Sequence, residues 1–208
     1  MNSSLSELKD LVSAGRFGRA VVEPSSGPWR LQGIAGRLVE ISGAGATASL
    51  TLAFGLTLEA QWEGEPVAWV TAGHNIFYPP DPAEGGVDLD ALAVIRVPDA
   101  RAVARAADLL VRSGGFGLIV LDLPKAEIPT PLQARLAGLA QKHHTALICL
   151  TEKPGKAPSL GSLISLRVHA QRKPIAEGRF ACELTVLKDK RRGPTWAHRE
   201  VCRGPAGL

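Results

Sequence analysis

Apolar positions recur along this chain with two different periods, and the change of period divides it. Leu5, Leu8, Leu11 and Val12 fall on one face of a short helix predicted over 4–14. The Gly/Ser/Pro-rich connection Pro24-Ser-Ser-Gly-Pro28 follows. From residue 37 short apolar runs alternate with stretches of helical period. A strand over 37–42 leads into a helix over 49–62, and a strand over 67–70 leads into a Pro-rich loop over 74–86. A strand over 92–95 leads into a helix over 99–113, with Ala100, Val103, Ala104, Ala107, Leu110 and Val111 on one stripe and Asp99 as its N-cap. Residues 116–121 are apolar throughout, as a strand covered on both faces should be. A helix over 131–144 and a strand over 146–150 come next. This order predicts an α/β domain with a mostly parallel central sheet flanked by helices.

After Thr151 the alternation becomes strict. Ile164, Leu166, Val168 and Ala170 alternate with Ser165, Arg167, His169 and Gln171, and Phe180, Cys182, Leu184 and Val186 repeat the pattern. Half-exposed antiparallel strands at one edge of the sheet are predicted. No internal repeat is visible. The division predicted is an N-terminal helix and linker arm over 1–35 and a core over 36–208.

Composition adds few constraints. At 208 residues the chain can bury a sizeable core. No apolar run approaches the ~20 residues of a membrane span, and the N-terminus carries acidic residues and no apolar h-region. The three cysteines, Cys149, Cys182 and Cys202, form no C-x-x-C pair and have no histidine at zinc spacing. They read as reduced thiols of a cytoplasmic protein without a metal site. The net charge of +4 is unevenly spread. Residues 167–203 hold ten Lys/Arg against four Asp/Glu, whereas the chain before them holds fourteen against sixteen. That basic block would suit nucleic acid or an acidic partner, or is a solvated sheet face.

Candidate chemistry gathers at the end of the first core strand. Gly43-Ala-Gly-Ala-Thr-Ala-Ser-Leu50 has the length and small residues of the phosphate-binding pattern G-x-x-x-x-G-K-[ST]. Counted from Gly43, the second glycine falls at Ala48, the phosphate lysine at Ser49 and the magnesium-binding hydroxyl at Leu50. Asp122 ends an apolar strand, where an acid would hold magnesium through water or simply cap the strand. The frame of a nucleotide site is present without its lysine or hydroxyl.

From Gly36 to Asp122 the chain resembles the RecA recombinase core, nearly without gaps. The carrying segments are Gly36-Arg-Leu-Val-Glu-Ile-Ser-Gly43, Val67-Ala-Trp-Val-Thr-Ala-Gly-His74, Gly86-Val-Asp-Leu-Asp-Ala-Leu92, Pro98-Asp99 and Arg112-Ser-Gly114. Downstream, Ser165-Leu-Arg167 and Val186-Leu-Lys-Asp-Lys190 resemble RecA edge strands. The resemblance implies a RecA-like fold. It also locates further departures. The water-activating glutamate falls at Gly73, the sensing glutamine at Glu152, and both DNA-binding loops are short, at 124–129 and 153–161. Together these losses imply a pseudo-ATPase that needs no cofactor.

Small RecA-like proteins with such degenerate sites are similar to the ImuA/SulA-like group. That resemblance implies an accessory role in SOS mutagenesis beside RecA, an ImuB-like polymerase homologue and an error-prone polymerase, with at most weak, non-specific DNA binding. A SulA-type inhibitor of cell division and a weak nucleotide-binding regulator are the alternatives. Candidate partner contacts are the helix face Leu5, Leu8, Leu11 and Val12, the aromatic loop residues Phe77 and Tyr78, and Lys188 and Lys190, which match lysines that reach a neighbouring subunit in RecA. A second copy of this chain is another acceptor for the helix. Trp62, Trp69 and Phe54 read as core packing, and the five histidines as structural.

Overall fold

The computed structural model describes residues 27–45, 47–73, 77–123 and 127–203. The helix expected over 4–14, with Leu5, Leu8, Leu11 and Val12, lies outside them. The elements are α1 (Leu31–Ile34), β1 (Leu38–Gly43), α2 (Ser49–Trp62), β2 (Val67–Ala72), α3 (Pro80–Glu84), β3 (Leu92–Val97), α4 (Ala100–Ser113), β4 (Leu118–Asp122), α5 (Thr130–His143), β5 (Ala146–Glu152), β6 (Leu166–Ala176), β7 (Arg179–Asp189) and β8 (Ala197–Arg203). The eight strands form one sheet in the order β3-β2-β4-β5-β1-β6-β7-β8. The strands from β3 through β6 run parallel, and β7 and β8 add antiparallel at one edge.

Successive residues of each inner strand feed opposite faces, which is why these segments are apolar without interruption. On one face Val39, Ile41, Trp69, Val120, Ile148 and Val168 pack under Leu52, Ala53 and Leu56 of α2. On the other, Leu38, Val70, Ile119, Leu121, Leu147 and Cys149 meet Val103, Ala107 and Val111 of α4 and Leu136 and Ala140 of α5. Each fully buried aliphatic side chain contributes about 1.5–3 kcal/mol. Helix α4 begins where its cap predicts, with Asp99 Oδ1 accepting from the Ala102 amide at 2.8 Å. It stops at Gly114, whose φ of 68° suits glycine.

Several expectations change. Trp29, Leu31 and Ile34, within the arm expected over 1–35, are buried in the core. The loop over 74–86 contains α3, started by Pro80 at a position where a missing N–H costs nothing. Strand β6 is an inner strand, parallel to β1 as well as antiparallel to β7. Arg167 is buried beneath segment 153–162, although alternation alone assigns it to an exposed face. Strand β8 was not expected, because Ala197-His-Arg-Glu-Val-Cys-Arg203 carries too few apolar residues to show a period. Trp62 does not pack in the core. It lies at the last position of α2 and is 68% exposed.

Candidate functional site

The carboxyl ends of β1, β2, β4 and β5 bring the motif residues together, where open parallel sheets bind ligands. The loop after β1 is braced by one side chain. Thr47 Oγ1 donates to the Ala170 carbonyl of β6 at 3.1 Å, lies 2.8 Å from Ser49 Oγ and accepts from the Ser49 amide at 3.2 Å. Gly43 is required by this packing, since a Cβ there would lie 1.9 Å from Thr47 Oγ1. Ala48 stands at φ −94°, ψ 9°, a conformation any residue adopts, so the second motif glycine is dispensable for the backbone. Ser49 is buried against Thr47. Leu50 is 45% exposed on the first turn of α2 and has no hydroxyl.

Across the sheet, Thr71 Oγ1 donates to Asp122 Oδ2 at 3.2 Å from the adjacent register position on β2. Gly73 follows β2, and a Cβ there would meet the Pro98 carbonyl only at 3.4 Å. Glu152 ends β5 exposed, beside Gly43 in register. The Lys153 amide, next in the chain, donates to the Gly43 carbonyl at 2.8 Å. None of Ser49, Leu50 and Gly73 carries an ammonium or a carboxylate. Among the described residues no group of three His, Cys, Asp or Glu is placed to hold a metal ion.

A heavily bonded buried charge beside the site belongs to no motif. Glu40, on β1, is fully buried. It accepts from Thr151 Oγ1 at 3.1 Å, Ser159 Oγ at 2.8 Å and the Leu160 amide at 3.0 Å. It pairs with Lys153 Nζ at 2.6 Å and faces Arg167 Nε at 3.6 Å. Arg167 Nη1 donates to the Ala157 carbonyl at 2.6 Å, Gln133 Nε2 to that of Leu160 at 2.9 Å and Lys188 Nζ to that of Ser162 at 3.1 Å. Segment 153–162, which includes the short second loop expected at 153–161, is thereby drawn onto the sheet. The available signal was a lone acid between Val39 and Ile41 in an apolar strand.

Lys188 is thus engaged with this segment, while Lys190 is exposed. Burial, and then Lys190, holds the Lys188 ammonium below its ordinary pKa. Phe77 does not offer itself to a partner. It is buried edge-on against Trp69 at 5.5 Å, and Trp69 stacks with Phe54 at 4.8 Å. Only Tyr78 of that pair is exposed, at 57%. His169 Nδ1 lies 3.4 Å from Ser42 Oγ, and His198 Nε2 lies 3.6 Å from Glu200.

A second buried pair ties the edge strands to the start of β1. Arg37 Nη2 meets Asp189 Oδ1 at 2.6 Å. Asp189 also accepts from Trp196 Nε1 at 3.0 Å and the Arg191 amide at 2.9 Å. Burial alone would raise the Asp189 pKa, but the Arg37 hydrogen bond and these donors outweigh it and hold it below the usual carboxylate range.

A parallel sheet with a glycine loop leading from its central strand into a helix, and an acid ending a strand across from it, defines the class of P-loop-type α/β cores. Within that class, the model of the RecA N-terminal domain matches residues 29–152. The chain belongs to the RecA family. It is 38% identical over 112 residues to Protein RecA of Fusobacterium nucleatum subsp. nucleatum, covering 50% of this chain and 29% of that protein. It is 35% identical over 128 residues to Protein RecA of Bifidobacterium breve, covering 54% and 32%, and 33% identical over 135 residues to that of Rickettsia massiliae, covering 56% and 38%. The matched stretch spans about a third of the length of these relatives. No helix of the described residues is long and apolar enough to cross a membrane.

Proposed function

We propose that this chain is a non-hydrolysing member of the RecA family that acts by docking on RecA and on translesion-synthesis partners, in the manner of the ImuA-like group. The observation that carries this reading is the state of the loop. Ser49, in the lysine position, is turned into a hydrogen bond with Thr47, and its amide is spent on the same oxygen. Losing two or three charge-assisted bonds of ~1.5–3 kcal/mol each would lower nucleotide affinity by roughly three orders of magnitude. A subunit that docks without cycling ATP would cap or recruit a filament. An ImuB-like polymerase homologue and an error-prone polymerase are the expected further partners. DNA binding would be weak and steeply salt-dependent.

The test is pull-down with purified RecA. The intact chain is expected to bind, and a folded Leu8→Asp/Leu11→Asp variant is expected to bind less. Absence of binding by the intact chain would end the docking reading. The weak nucleotide-binding regulator keeps one supporting observation, the Thr71–Asp122 hydrogen bond at the magnesium position. Calorimetry with magnesium-ATP distinguishes it by measurable heat at micromolar protein.

A further inference from the structure

We propose that Cys182 and Cys202 are a dithiol modification site that low-molecular-weight disulfides oxidise to an intramolecular bond. The two sulfurs lie 3.3 Å apart, on adjacent hydrogen-bonded strands β7 and β8. In register Cys182 faces Glu200 and Phe180 faces Cys202, so both side chains share the sheet face that packs on α2. The pair is diagonal across β7 and β8, and closing to a disulfide length of about 2.05 Å brings the sulfurs roughly an ångström nearer, with the two strands drawn together as far as the bond needs. The sulfurs differ in access. Cys182 is fully buried, and Cys202 is half-buried on the edge strand. Contact with Cys202 draws the Cys182 thiol below its ordinary pKa against the opposing effect of burial. Cys149, by contrast, is fully buried on the other face, and burial and then Glu40 push its thiol up.

Access sets the order of steps. Contact with Cys182, and then burial, push the Cys202 thiol up, so Cys202 releases its proton only as its sulfur attacks one sulfur of glutathione disulfide, forming a mixed disulfide and expelling one glutathione thiolate, which takes that proton. Cys182, deprotonated, then attacks the Cys202 sulfur and expels the second. Two protein thiols are oxidised, one glutathione disulfide is reduced to two thiols, and the two cysteine protons end on the glutathione. The product ties the edge strand β8 to β7 across segment 183–201.

The full chain, incubated natively with glutathione disulfide and then alkylated, is read by intact mass, peptide mapping and thermal melting. Loss of two hydrogens, a linked pair of peptides containing Cys182 and Cys202, and Cys149 alkylated only after unfolding are expected. The oxidised protein should melt roughly 5–10 °C higher than the reduced one. Cys182→Ser should stop at a glutathione adduct on Cys202, and Cys202→Ser should take no adduct while folded. If a variant fails to fold, mapping of the unmodified sequence decides. Both thiols remaining alkylatable after oxidation, a bond between two chains, or an adduct on Cys182 would overturn the proposal.

Discussion

Replacing Glu40 by alanine is the sharpest perturbation of the segment beside the site. The carboxylate accepts three hydrogen bonds and pairs with Lys153, while Arg167 remains buried behind it. Three bonds to a charged acceptor would sum to several kcal/mol, but the buried carboxylate also forfeits hydration worth several kcal/mol. The net loss is set by what stays behind, an uncompensated buried guanidinium, and such single removals cost about 3–5 kcal/mol. Against a total stability of about 5–15 kcal/mol this leaves a marginal fold. Urea unfolding reads it as a lowered midpoint at unchanged slope. Trypsin cleavage at Lys156 should accelerate as segment 153–162 is released. The double variant Glu40→Leu/Arg167→Met removes both charges and should recover most of the loss. A cost below about 1 kcal/mol for Glu40→Ala, or a double variant as unstable as the two single losses added, would refute the reasoning.

Three further outcomes follow from the same geometry. Asp189 has a folded pKa held below its unfolded value near 3.9, so its stabilising contribution is complete above that value and is lost as pH falls through the folded one. Acid titration of stability by circular dichroism should therefore show a loss below about pH 4 that Asp189→Asn, already weaker at neutral pH, no longer shows. Gly43→Ala should destabilise the protein by about 1–3 kcal/mol in thermal melts, because its methyl overlaps Thr47, and Gly43→Ala/Thr47→Ser/Ser49→Ala should relieve little of this since Ser keeps the oxygen in place. Trp62→Gln should change stability by no more than about 0.5 kcal/mol, as an exposed helix-end substitution does.

The α/β class and nearly every core element were legible because buried parallel strands announce themselves as short apolar runs separated by helical period. Where sequence reading failed, the deciding contact was made by a distant segment. Arg167 alternates like an outward residue, yet segment 153–162 folds over its face and takes its Nη1 hydrogen bond at the Ala157 carbonyl. Phe77 and Trp62 are both aromatic residues near element ends, and only the fold buries one and exposes the other. At the candidate site, Gly43, Ala48, Ser49, Leu50 and Asp122 were read directly from motif spacing. Thr47 and Thr71, which hold those positions, were not, since a hydroxyl that bonds across strands leaves no spacing signature. Glu40 shows in the sequence only as an acid within an apolar strand, a pattern that belongs to no motif.

Steady-state ATP turnover by the purified full chain, with magnesium and with Asp122→Ala as the matched control, tests the central claim most directly. The account predicts no turnover above that of the control. It also predicts none in Ser49→Lys alone, because the lysine, metal hydroxyl and base act as a unit. Turnover by the unaltered chain that Asp122→Ala abolishes would contradict the account.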